Sequence, residues 1–331
     1  MTGESVPHPA AGPGRKLPVL FIHDAAIDDF IATMLLVAMP NVDLKGIVIA
    51  DADCIPQPGI DAANRLQQFI GRPDIPLALS ESRGWNPFPW PYRSDCVSFG
   101  ELPLLRPYRS TVPTPPPSGD KLVAKLLENA VKTGDKLTIL LTTGFTPLTD
   151  IIRVRPELCA GIDRVVWMGG AINVPGNLDS TTINPVVANK HAEWNVFWDP
   201  FAAQDGLNLL SGIHDFPLDI TNNVPISKEF MARLKAQGTK YSFSQLAYEA
   251  YGLVSAEPFY DMWDVCTTVF LARPDLYAPP QKMPLEVVQW GFEQGWLRKA
   301  DGAKHTQNVY LSFSDLNGFY DYVATQLARS A

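Results

Sequence analysis

The sequence predicts an α/β fold: a Rossmann-like, mostly parallel sheet flanked by helices in a single domain. Two observations carry this expectation. Short apolar runs rich in Val, Ile and Leu recur at 18–22, 44–50, 137–142 and 164–168, and each leads into a helix-length segment. The chain has 331 residues, 46% of them apolar, enough to bury one large core beneath such a sheet.

Taken in order, residues 1–16 are polar and rich in Pro and Gly. They read as a disordered leader, since no apolar run separates a basic start from a cleavage site. The domain is expected over 17–331. Its first strand, 18–22, ends in an acidic loop that enters a helix over 30–38. The second, 44–50, ends on Asp51, Ala52 and Asp53. Between 102 and 119 stand Pro103, Pro107, Pro113, Pro115, Pro116 and Pro117, too many for a helix interior or a central strand. That segment predicts a long surface loop, which either flanks the site or only connects. The strands 137–142 and 164–168 end at Thr143-Gly144 and Gly169-Gly170. Beyond residue 213 the pattern is helical, with one strand at 308–313 and a last amphipathic helix over 316–327. In such sheets ligands sit beyond the carboxyl ends of the strands, so these ends hold the candidate residues.

Composition narrows the partners. The 35 acidic residues outnumber the 27 basic ones, giving a net charge of −8, which disfavours nucleic-acid polymers and anionic membrane surfaces. No apolar segment reaches the ~20 residues that span a bilayer, so a soluble, cytoplasmic chain acting on a small molecule is expected. The four cysteines, Cys54, Cys96, Cys159 and Cys266, form no CxxC pair. They predict buried free thiols rather than a zinc knuckle or a disulfide framework.

The loop after the first strand is the most informative segment. Asp24, Asp28 and Asp29 fall within six residues, and carboxylates this close repel unless something positive lies between them. A hard cation bound through oxygen satisfies that need. Equally, Asp28 or Asp29 could serve as a helix cap, where negative charge meets the amide dipole. Asp51 and Asp53 favour the cation, because neighbouring parallel strands deliver their ends to one cleft, where four or five carboxylates would face each other.

These acidic loops, Asp24-x-x-x-Asp28-Asp29 and Asp51-Ala52-Asp53, resemble those of the inosine-uridine-preferring nucleoside hydrolase family. Further segments agree in order: Thr143-Gly144, Met168-Gly169-Gly170-Ala171, Gly176-Asn177, Ala192-Glu193-Trp194-Asn195 and Trp263-Asp264. The resemblance implies the nucleoside hydrolase fold and hydrolysis of the N-glycosidic bond of a ribonucleoside to free base and ribose. It implies calcium held by the carboxylates of Asp24, Asp29 and Asp264 and the backbone carbonyl of Thr143, with a water on that ion and Asp24 as its base. Asp28, Asn177, Glu193 and Asn195 match positions that hold the ribose hydroxyls.

The leaving group divides the family. Its pyrimidine-accepting branch carries a His before the last metal-binding Asp, whereas this chain carries Trp263. That resembles the purine-specific branch, in which aromatic rings sandwich the base. Asp53-Cys54 and Asn86-Pro87-Phe88-Pro89 fit the same branch. Trp263 and Tyr92, with Trp90 the weaker alternative, are then the sandwich, and Asp53 contacts the base. The resemblance thus implies a purine nucleoside substrate, a place in purine salvage and a homo-oligomer, a dimer.

Three departures stand out. Ile22 replaces the family's first Asp, removing a carboxylate behind the metal, and Ala25-Ala26 replace Pro-Gly or Gly-Asn. His23 faces away from Asp24 if the strand persists and reads as a packed histidine. The competing readings are a broad or pyrimidine-accepting hydrolase with another acid, and a nucleoside-binding protein with impaired turnover. A haloacid-dehalogenase-type phosphatase needs Asp-x-Asp here, and Ile22-His23-Asp24 does not supply it.

Overall fold

The computed structural model describes residues 15–88, 90–178, 184, 188–255 and 260–331. The expected leader lies outside them apart from Arg15 and Lys16, which are exposed, as does Pro89. Among the described residues nine strands form one sheet: β1 (Leu17–His23), β2 (Val42–Ile49), β3 (Leu77–Leu79), β4 (Leu137–Leu141), β5 (Ile162–Met168), β6 (His214–Phe216), β7 (Gln281–Val287), β8 (Leu297–Lys299) and β9 (Thr306–Val309). Their order is β3-β2-β1-β4-β5-β6-β9-β7-β8. All pairings from β3 to β9 are parallel, and β7 runs antiparallel to both β9 and β8.

The sheet is a middle layer between two apolar clusters. Along β1 the side chains alternate: Val19 and Phe21 join one cluster, Leu20 and Ile22 the other. This is the two-residue period of a strand buried on both faces. Against the first cluster packs the helix Ile27–Ala38, buried around almost its whole circumference. Its Phe30 stacks on Phe99 with ring centroids 4.0 Å apart. The chain leaves β1 toward β2 on one side and returns as β4 on the other. The loops after β1 and β4 therefore diverge at the sheet's switch point, where a crevice opens.

The carboxyl-terminal third differs from the sequence reading. It holds β6, β7 and β8 besides helices, and the expected strand 308–313 sits at Thr306–Val309 instead. Hydropathy favoured Val309 to Leu311. The strand instead includes Gln307, buried because its amide accepts from Ile213 N (2.8 Å) and donates to the Leu207 and Leu210 carbonyls. The final helix is Leu316–Leu327, as expected. The proline-rich segment packs over the helix Pro56–Phe69, where Asn64 and Asp61 hold Thr111 and Ser110. It contributes nothing to the cavity wall described below and only connects.

Candidate active site

A cavity of about 730 Å³, counted with its open mouth, lies beyond the carboxyl ends of β1, β2, β4 and β5. Its lining combines acidic and polar groups, Asp24, Asp28, Asp53, Asp95, Glu193 and Asp264 with Thr142, Asn177 and Asn195, and aromatic rings, Phe88, Tyr92, Trp194, Tyr260 and Trp263.

The first helix starts at Ile27, three residues earlier than expected, because Asp29 caps it. Asp29 Oδ2 accepts from the N–H groups of Ala26 (3.0 Å) and Asp24 (3.3 Å), and its Oδ1 accepts from the Thr142 hydroxyl (2.6 Å). The capping role therefore belongs to Asp29. Asp28, on the same turn, accepts from Asp264 N (2.8 Å) and the Tyr260 hydroxyl (3.1 Å). That bond ties the first strand's loop to the helix Trp263–Val269, 236 residues away in sequence. Between Asp24 and the helix, Ala25 adopts a left-handed φ of 63°. Its N–H donates to His23 Nδ1 (3.0 Å). His23 is fully buried and stacks on Phe21, so it holds the turn from behind.

Electrostatics follow from burial. Desolvation, then repulsion by Asp29 and Asp53, pushes Asp24 well above the usual carboxylate range; the facing Thr143 hydroxyl, which lacks a well-formed hydrogen bond, acts weakly the other way. Burial and then Asp28 do the same to Asp264. Burial and then Asp29 raise Asp28 to about 7. Among the described residues no lysine or arginine stands among the main causes of these shifts. The donor set is thus oxygen-rich, buried and uncompensated, which is the chemistry of a hard-cation site. As placed, Asp24 shares a hydrogen bond with Asp29 and Asp28 one with Asp264. No three acidic, His or Cys groups among the described residues converge into a preformed cage. The Thr143 carbonyl accepts from Trp167 Nε1 (3.2 Å) and retains a second lone pair.

The polar part of the lining is built from backbone outward. Glu193 caps the helix Trp194–Trp198, accepting from Asn195 N and Val196 N, and also accepts from Gly170 N at 2.9 Å. Gly170 has φ +86°, a conformation open to glycine that turns this N–H inward. Burial raises Glu193 to about 7 against those backbone bonds. Gly176 lies so close to the chain at 192 that a Cβ would stand 2.0 Å from the Ala192 carbonyl oxygen. The next residue, Asn177, accepts from Trp194 N (3.2 Å) through Oδ1. Asn195 donates to the Met168 carbonyl (3.0 Å), which leaves its Oδ1 as an acceptor.

Of the expected base-end residues, Asp53, Tyr92 and Trp263 line the cavity, whereas Trp90 is 69% exposed outside it. Trp263 Nε1 donates to Asn222 Oδ1 (3.0 Å), and its ring lies 4.9 Å from Tyr260. Asp51 does not join the carboxylates. It pairs with Arg83 (3.0 Å) and Arg93, so the group expected to face the cleft instead braces its loop. The sequence reading missed Thr142, Tyr260 and Asp95. Tyr260 carried a signal, since it stands three residues before Trp263, but a lone tyrosine outside any motif gave no reason to weigh it.

The family described as inosine-uridine preferring nucleoside hydrolase matches residues 19–320. A pyrimidine-specific ribonucleoside hydrolase, RihA, of Citrobacter koseri is 28% identical over 94% of this chain and 98% of its own length. The crystal structure of an inosine-uridine preferring nucleoside hydrolase from Bacillus anthracis superposes with TM-score 0.84, at 30% identity, over 95% of this chain and 100% of that one. A purine-preferring ribonucleoside hydrolase from Gardnerella vaginalis, at 16% identity and TM-score 0.75, shares the fold over 94% of this chain and 98% of its own. With its cavity at the switch point of this sheet, the chain belongs to the inosine-uridine-preferring nucleoside hydrolases, a family of hydrolases acting on N-glycosyl bonds.

Proposed function

We propose that the chain hydrolyses purine ribonucleosides to free base and ribose. The observation that supports this reading is the presence of buried carboxyls and aromatic rings in the lining of one cavity, with Trp263 immediately before Asp264. The carboxyls suit ribose and the oxocarbenium-like charge that develops as the base departs. Asn177, Asn195, Glu193 and Asp28 hold the hydroxyls. Asp24, whose carboxyl is raised by burial, takes the proton of the attacking water. The rings of Tyr92 and Trp263 stack on the base, with Asp53 beside it. Calcium held by Asp24, Asp29, Asp264 and the Thr143 carbonyl would supply positive charge that orients the ribose diol and acidifies the water. Under the same proposal the chain works as a homodimer, for which exposed Trp85 and Trp290, packed on half-buried Phe201, offer an apolar face.

A second reading, a pyrimidine-accepting or broad hydrolase, is favoured by the pyrimidine-specific name of the Citrobacter relative. A competition assay separates the two. With inosine and uridine at equal concentrations in one reaction, the initial ratio of hypoxanthine to uracil equals the ratio of kcat/KM values. Purine preference predicts hypoxanthine in excess by ~10-fold or more; excess uracil establishes the second reading.

A further inference from the structure

Apart from Asp53, which faces Asp24, the cavity lining contains one carboxyl that the ribose, cation and base-contact roles leave unused. Asp95 opens the short helix Asp95–Gly100 and lines the cavity with Tyr92 and Trp263. It also lies within electrostatic reach of Tyr260. Of the other acidic lining groups, Asp28 accepts from Asp264 N and Tyr260, and Glu193 caps a helix. The Tyr260 hydroxyl is bound to Asp28 and held well above its usual range by burial and that carboxylate, so it is a poor donor near neutral pH. Among the described residues no histidine lines the cavity.

Resting on the hydrolase reading above, we propose that Asp95 is the catalytic residue that protonates the departing base. As the C1′–N bond breaks, its electron pair goes to the base nitrogen. The Asp95 carboxyl proton passes to a ring nitrogen or exocyclic oxygen of the base. Water forms the new C1′–O bond and loses its proton to Asp24. Solvent then returns a proton to Asp95 and removes one from Asp24, which closes the balance. Burial alone raises the Asp95 carboxyl to about 6, with no hydrogen bond or cation offsetting it. Tyr260 and, on its own helix, Cys96 lie within its electrostatic reach, both uncharged near neutral pH, and Asp53 lies within reach of the same two groups. A group in this position keeps a usable protonated fraction near pH 7, and a stacked base that excludes water enlarges it.

The test compares Asp95→Asn with the parent on inosine and on a nitrophenyl riboside, whose leaving group departs without protonation. Asn keeps the shape and lacks the acid. Turnover of inosine should fall ~100-fold or more, while the nitrophenyl riboside reacts within about threefold of the parent rate and thereby reports an intact fold and ribose site. In the parent, kcat/KM for inosine should decline as pH rises through about 6, and the variant should lose that limb. Equal losses on both substrates, or an unchanged limb, would overturn the assignment. A parent inactive on every riboside would instead remove the hydrolase reading, and this inference with it.

Discussion

Asp24 sits where the two demands on this cavity meet. It faces Asp29 and Asp53, and it is the carboxylate placed to accept a proton from water. Asp24→Asn should keep the fold, since it removes a buried group that burial and its neighbours both disfavour when charged. Turnover should fall ~100-fold or more, the usual scale for losing a general base. A melting temperature equal to or above the parent's, with near-normal turnover, would remove Asp24 from the mechanism. Trp263 is the second residue with a separable role. Stacking favours a protonated purine over a neutral one, because an indole face attracts positive charge. Trp263→Ala should therefore lose one to three orders of magnitude on inosine, if stacking contributes about 1–4 kcal/mol, and little on a nitrophenyl riboside. Equal losses would mean that Trp263 only shapes the pocket or supports Asp264.

Among elements, β6 carries an anomaly. Asp215 is fully buried, and neither carboxylate oxygen has a hydrogen-bond partner among the described residues. Burial, then Asp219 and Glu193, hold it well above the usual range. Because its folded pKa is raised, the folded state binds the proton more tightly. The stability this confers is complete below the unfolded value near 3.8 and is lost as pH rises toward the folded value, at about 1.4 kcal/mol per pH unit. Asp215→Asn removes that dependence. Urea unfolding should show the variant gaining on the parent between pH 5 and pH 8, and a gap that stays constant would contradict it. The same strand shows why part of the fold was illegible in the sequence. β1, β2, β4 and β5 are apolar runs buried on both faces and were readable, as was the last helix. β6 is three residues containing an acid, β7 begins Gln-Lys and contains Pro284, and β9 depends on buried Gln307. Their places are set by neighbours rather than by hydropathy. At the site, the acidic loops, the Asn177 and Glu193 segments and Trp263 stood out as motifs. Tyr260, Thr142 and Asp95 join the cavity only through tertiary packing, and Asp51 leaves it because Arg83 and Arg93, distant in sequence, claim it.

Over the whole molecule, the sheet order explains why acids 240 residues apart share a cavity. The switch point beside β1 opens the crevice, the loops after β1 and β2 bring Asp24, Asp28, Asp29 and Asp53, and the helix Trp263–Val269 closes over it with Asp264. Among the described residues no helix is long and apolar enough to cross a membrane. The cavity concentrates negative charge without a compensating side-chain cation, so the account requires one from solution. The most direct measurement is release of reducing sugar from inosine, guanosine, adenosine, uridine and cytidine by protein stripped with a chelator, before and after calcium is restored. The account predicts little release from any substrate after stripping, and recovery with calcium that is largest on the purine ribonucleosides. Full activity in the stripped protein, or recovery confined to uridine and cytidine, would contradict it.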